Sequence, residues 1–160
     1  MRDEQAFAGF VRAQGTALVR TAFLLVGDRA DAEDLTQVAL LRLSRRWDRV
    51  DDPAAYARTT LARLAVDRWR ALRRRPPHLA LVDDDRAADP TNAAADRVAL
   101  LGALRTLPAR QRAVLVLRYY EGLSEADIAT ALGCSAGTVK THAARGMARL
   151  REAFGEEGER

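Results

Sequence analysis

From residue 4 to residue 26, apolar side chains fall at Phe7, Phe10, Val11, Leu18, Ala22 and Leu25. Steps of three, four and seven mark one face of an amphipathic helix. The stretch GDRAD interrupts it, and Gly27 suits a carboxyl-terminal cap. A second helix is expected after Asp31. Glu33 and Asp34 stand in its first turn, where the helix dipole favours acids, and Leu35, Ala39, Leu43 and Trp47 recur every four residues. Asp52 followed by Pro53 is a start signal: a capping carboxylate, then the helical position that tolerates proline. The third helix runs to about Arg74, with Ala57, Leu61, Leu64 and Leu72 on one face. Pro76 and Pro77 end it.

The periodicity then lapses. Residues 77–96, PHLALVDDDRAADPTNAAAD, read as a flexible linker extended by its own charge. Order is expected again near Asp96. Val98, Leu101, Leu104 and Arg105 make a short helix, and LPARQRAVLVLRYYEG makes another, with Pro108 in its first turn and Gly122 after its end. AVLVLRYY passes for a strand by propensity, but its flanks are helical, so helix is expected. The pattern is all-α: two small helical domains, residues 1–76 and 97–154, joined by an acidic linker at 77–96 and followed by a disordered tail at 155–160.

Composition narrows the class. The chain has 160 residues, of which 48% are hydrophobic and 6% aromatic. That supports one ordinary core or two small ones of about 60 to 75 residues, built mainly from Leu, Val and Ala. One cysteine excludes an intrachain disulfide and an all-cysteine zinc site. No signal peptide or transmembrane run is read, so the expectation is a soluble cytoplasmic protein without a membrane role. The formal net charge is +4, unevenly spread. Residues 1–76 carry 15 Arg against 10 acids, and residues 97–154 carry 9 basic residues against 4 acids. Residues 77–96 carry one Arg against 5 Asp. Two basic blocks around an acidic connector suit a polyanionic partner.

The last third carries the candidate chemistry. Ser124 caps a short helix in which Ile128, Ala129 and Leu132 fall at helical spacing, and Asp127 stands where a capping box closes. Gly133 occupies a sharp turn that needs positive φ, Ser135 caps the next helix, and Val139 follows as a β-branched plug. A small residue at the crossing, a turn glycine and an apolar plug form the steric pattern of a helix-turn-helix. With Val139 and Ala143 inward, Lys140, Thr141, Ala144 and Arg145 face out on the first turns of the second helix. Hydroxyls, cations and a helix amino terminus are what base edges and phosphates need. Gly137 and Thr138 let the backbone approach a phosphate. Ser135, Gly137, Thr138, Lys140, Thr141, Ala144 and Arg145 are the candidate contacts. An αα-hairpin that packs without touching DNA has the same periodicity, and at this level both readings stand.

At these residues the whole chain resembles a known family, the extracytoplasmic-function sigma factors, which carry regions two and four. DAEDLTQVALLRLSRRW resembles the helix that docks on RNA polymerase, AYARTTLARLAVDRWRALRRR the helix that melts and reads the −10 element, and LPARQRAVLVLRYYEGLSEADIATALGCSAGTVKTHAARGMARLR region four. The wording is closest to the actinobacterial SigE-like subfamily. The resemblance implies a sigma factor that directs core polymerase to promoters and promotes melting, with no enzymatic activity, no cofactor and no metal. It implies polymerase docking through Asp34, Gln37 and Leu41, with Val38 standing where an acid is usual. It implies −10 contacts from Tyr56, Arg63, Trp69, Arg70, Arg73 and Arg74, with Arg63 standing where Asn is frequent. The loop WDRVDDP corresponds to the segment that traps a flipped base. The implied partners are the clamp coiled coil and flap of the polymerase core, promoter DNA and an anti-sigma factor. Two other classes compete: a regulator with a carboxyl-terminal helix-turn-helix, and a nucleic-acid enzyme. The second lacks material, because His78 and His142 sit in unrelated contexts and Asp83, Asp84 and Asp85 lie in a segment poorly preorganised for a metal.

Overall fold

A computed structural model describes residues 4–73 and 92–155, all of whose regular elements are helical. The expected linker up to residue 91 and the tail from 156 lie outside the described residues, as does Arg74 of the −10 set. In the amino-terminal half, α1 spans Glu4–Val26, α2 Arg29–Arg45 and α3 Pro53–Arg73, with a 3₁₀ turn at Trp47–Arg49 between the last two. In the carboxyl-terminal half, α4 spans Asn92–Thr106, α5 Ala109–Leu115, α6 Glu125–Leu132 and α7 Ala136–Gly155. A π turn, Val116–Tyr120, prolongs α5.

Caps set the boundaries. Asp28, not Asp31, opens α2: its carboxylate accepts from the Asp31 amide at 2.9 Å, so α2 begins two residues before Asp31. Asp52 opens α3 by accepting from the Ala55 amide at 3.1 Å, as expected. Gly27, with φ of +74°, closes α1. α4 begins at Asn92, so residues 92–96, expected to be linker, are helical. Trp47 does not continue the α2 stripe. It lies in the 3₁₀ turn, where its ring meets Phe7 edge-on at 5.3 Å and Phe10 at 5.6 Å.

α1, α2 and α3 pack as a bundle around Leu18, Ala22, Leu25, Leu35, Ala39, Leu61 and Ala65. The second core joins Val114, Leu117, Ile128, Val139 and Ala143. The two halves touch. Ala62 of α3 is buried in the second core, while Ala113 and Val116 are buried in the first. α3 is thus a wall common to both, packed on one side by α1 and α2 and on another by α5 and α6.

Candidate nucleic-acid interface

The α6–α7 hairpin is built from its caps. The Ser124 hydroxyl accepts from the Asp127 amide at 3.1 Å and opens α6. Gly133 leaves the helix at φ +66°, and a Cβ there would meet nothing within 4 Å, so conformation and not space requires the glycine. Ser135 accepts from the Thr138 amide at 3.1 Å and opens α7. Val139 (0% exposed) and Ala143 (4%) point into the core with Ile128 and Ala129. Gly146 is required for another reason: a Cβ there would lie 2.9 Å from Leu115 Cδ1, so α7 crosses α5 closely.

This packing fixes the outer face. Ser135, Gly137, Lys140, Thr141, Ala144 and Arg145 are exposed and Thr138 is half-buried, so all seven candidate contacts line the accessible side of the start of α7. The Thr141 hydroxyl donates to the Gly137 carbonyl at 3.0 Å. Lys140 Nζ lies 3.8 Å from Glu125, whose carboxylate also accepts from Arg118 at 2.8 Å. His142 is half-buried on the flank of α7. Burial first, then the charges of Arg110 and Arg145, hold its pKa below the usual 6.5.

The docking candidates gather on α2. Asp34, Gln37, Val38 and Leu41 are exposed along one stripe, opposite the buried Leu35, Ala39 and Leu43. Two apolar side chains on that stripe, Val38 (38% exposed) and Leu41 (53%), lack cover in the free chain.

The −10 candidates divide. Tyr56, Arg63 and Arg70 recur every seven residues and so share one stripe of α3. Tyr56 and Arg63 line an open cavity of about 370 Å³ together with Arg42, Arg46, Ala55, Thr59 and Thr60. Arg70 is exposed. Trp69 is turned elsewhere: the Arg112 guanidinium stacks on its ring, 4.3 Å from the centroid. The side chain of Arg73 is outside the described residues.

Two family models match in the order of the two halves. Sigma-70 region 2 matches residues 10–75, and sigma-70 region 4 matches residues 97–150. The chain is 41% identical over 149 residues to the RNA polymerase sigma-E factor of Streptomyces avermitilis, covering 91% of this chain and 83% of that one. It is 38% identical to the ECF RNA polymerase sigma factor SigL of Mycobacterium tuberculosis, covering 88% and 84%. The chain belongs to the extracytoplasmic-function sigma factors. Promoter-specific transcription initiation by RNA polymerase is therefore its function. Two solved structures share the fold of this sigma factor. One is the sigma factor RpoE in complex with the anti-sigma factor NepR from Bartonella quintana, with a TM-score of 0.72, 24% identity and coverage of 98% and 99%. The other is CnrH in complex with the cytosolic domain of CnrY, with a TM-score of 0.67, 23% identity and coverage of 97% and 91%.

Sequence reasoning missed several polar groups of this sigma factor. Arg42, in the last turn of α2, and Arg46, the capping residue just after its end, add two cations to the Tyr56–Arg63 cavity. Their i, i+4 spacing was the available signal. Arg112 is 1% exposed. Its guanidinium donates to the carbonyls of Leu104 (2.7 Å), Leu25 (2.9 Å), Arg105 (3.1 Å) and Leu107 (3.1 Å). One side chain thereby closes the carboxyl ends of α1 and α4. Burial, then the neighbouring Arg105, lowers its pKa to about 10. Its spacing of three and four residues from the apolar Leu115 and Val116 was the sequence signal.

Proposed function

We propose a division of labour among the helices. The start of α7 reads a −35 element through Lys140, Thr141, Ala144 and Arg145, while Ser135, Gly137 and Thr138 hold the adjoining phosphate. Tyr56, Arg63 and Arg70, continued by Arg73 and Arg74, take the melted −10 strand. Trp69 serves packing, since its ring is covered by Arg112. Asp34, Gln37 and Leu41 dock on the clamp coiled coil of core polymerase, and the carboxyl-terminal half meets the flap. An anti-sigma factor is a further partner, because the RpoE relative of the same fold is held by one. The site of action is the cytoplasm, and among the described residues no helix is long and apolar enough to cross a membrane.

No bond is made or broken. Extruding a base from the duplex costs a few kcal/mol. A protein offsets that by binding the extruded strand more tightly than the duplex, and cations with an aromatic ring supply that preference. The arrangement that carries the reading is the exposed Lys140–Thr141–Arg145 face laid over buried Val139 and Ala143, with a second cationic surface on α3 in the same chain.

The test is run-off transcription with purified core polymerase on a genomic DNA library, with start sites sequenced. A shared two-part motif upstream of the starts is expected. Lys140→Ala and Arg145→Ala are expected to lower initiation at those starts with core binding intact. Where the deleted cation had paired with a phosphate, the slope of log affinity against log salt falls by about one. Loss of core binding in these variants refutes the assignment of α7.

A further inference from the structure

A carboxylate stands among the cations of the proposed −35 surface. Glu125 lies in the first turn of α6, which Ser124 opens. The positive end of the helix dipole favours an acid there. The two oxygens of Glu125 meet different partners. Oε1 accepts from Arg118 at 2.8 Å, and Oε2 lies 3.8 Å from Lys140 Nζ on α7. The three side chains differ in exposure: 27% for Glu125, 35% for Arg118 and 69% for Lys140. The carboxylate is therefore tied to the more sheltered cation and offers its second oxygen to the freer one.

Arg118 is a firm post. It belongs to the π turn Val116–Tyr120, where the Glu121 amide donates to the Val116 carbonyl at 3.1 Å. Single widened turns of this kind recur at functional sites. Leu117, just before it, is buried in the second core, and the Arg118 guanidinium lies 5.5 Å from the centre of the Tyr119 ring. The contact to Lys140 is of another kind. At 3.8 Å it is beyond hydrogen-bond reach, so it draws the ammonium by charge and consumes none of its three donors. All three stay available for acceptors on DNA. On a matching sequence those acceptors include base edges. On any other duplex the recurrent acceptors are phosphates. An ammonium that swings to a phosphate leaves Glu125 with one cation fewer, beside incoming negative charge.

We propose that Glu125 is a positioning residue that sharpens the specificity of the −35 surface. Anchored by Arg118, it steers Lys140 toward base edges and opposes its transfer to the backbone of non-matching DNA. The carboxylate weakens both kinds of complex, the non-matching one more, and specificity is the difference between them. This rests on the proposed base-reading role of Lys140.

The test titrates reconstituted holoenzyme with two fluorescein-labelled duplexes at several salt concentrations. One bears the −35 element mapped upstream of its starts, and the other has that element scrambled. Glu125→Gln keeps the shape of the side chain and removes its charge, with thermal melting reporting that the variant is folded. An exposed lysine–carboxylate pair shifts an equilibrium by about 1.5- to 5-fold. Affinity for the scrambled duplex is expected to rise by about that factor in Glu125→Gln, with a salt slope steeper by up to about one. The ratio of the two affinities is expected to fall about 1.5- to 5-fold. Asp127→Asn removes the same charge from the same turn of α6, outside the Arg118–Glu125–Lys140 set, and is expected to keep the parent's ratio. In a Lys140→Ala background, Glu125→Gln is expected to change the ratio no further. An unchanged or higher ratio in Glu125→Gln, an equal fall in Asp127→Asn, or a full effect of Glu125→Gln without Lys140 overturns the proposal. Lys140→Ala alone separates the two readings. If it leaves discrimination intact, the base-reading role of Lys140 falls, and the positioning with it. If it lowers discrimination while Glu125→Gln does not, only the role of Glu125 falls.

Discussion

Replacing Arg112 with Met keeps an unbranched stem and deletes the guanidinium. Four carbonyls lose their donor at distances of 2.7 to 3.1 Å, and Trp69 loses the cation stacked 4.3 Å from its centre. Hydrogen bonds to a charged group contribute about 1.5–3 kcal/mol each before the charge is desolvated. Desolvation opposes them, and the drop of the Arg112 pKa to about 10 is its signature, with the Arg105 charge adding to it. That opposing cost is on the order of 3 kcal/mol. What remains is the penalty of stranding carbonyls at two helix ends in a dry interior. The expected loss is about 3–5 kcal/mol, the range found when a buried charged network loses one member. For a chain of this size each kcal/mol lowers the melting temperature by about 2–4 °C, so a fall of roughly 6–20 °C is expected. Urea and thermal unfolding followed by far-ultraviolet circular dichroism measure it, with tryptophan fluorescence reporting on Trp69. Arg112→Lys is the control, because a single ammonium cannot span four carbonyls on two helices and falls nearly as far. A loss under about 1 kcal/mol in the Met variant, or full rescue by Lys, refutes the capping role.

Three further expectations concern separate parts of the molecule. Val139→Ala removes a fully buried plug from the helix-turn-helix and costs about 2 kcal/mol; a melting curve indistinguishable from the parent's contradicts the packing. Asp34→Arg reverses a charge on the exposed α2 stripe and is expected to weaken core binding about tenfold or more in a fluorescence titration, while normal core affinity removes α2 from the docking surface. His142 is disfavoured as a cation in the folded chain, so the unfolded chain binds its proton more readily. Its contribution is absent well above pH 6.5 and becomes destabilising as pH falls through 6.5. His142→Gln is expected to flatten that part of the stability profile in urea melts between pH 7.5 and 5.5, and an unchanged profile contradicts the burial argument.

The helices were legible where local chemistry decides. Asp52–Pro53, Ser124, Gly133 and Ser135 mark their boundaries correctly, because a cap is a contact within three residues. The outward face of α7 followed from placing Val139 inward. Reading failed where two local signals competed or where distance decided. Asp28 and Asp31 both suit a cap, and the upstream one prevails by reaching the amide of the other. Trp47 fits a four-residue repeat that the helix does not survive to complete, and the rings of Phe7 and Phe10 claim it. The early start of α4 uses Ala93, Ala94 and Ala95, good helix formers that an acidic neighbourhood disguised. The widened turn at Val116–Tyr120 left no signal in a run of apolar and aromatic residues. The hydrogen bonds of Arg63, Arg105 and Arg112 join residues 67, 78 and 87 positions apart, and no periodicity carries that information.

Because α3 seals two interiors at once, neither half of the free protein has a finished boundary of its own. Calorimetry should therefore register a single endotherm, not two, and a lesion on either side should lower the midpoint of the whole. Once another surface takes over one side of α3, that cooperativity ends, and each half becomes a separate unit with its own susceptibility to heat and to proteases.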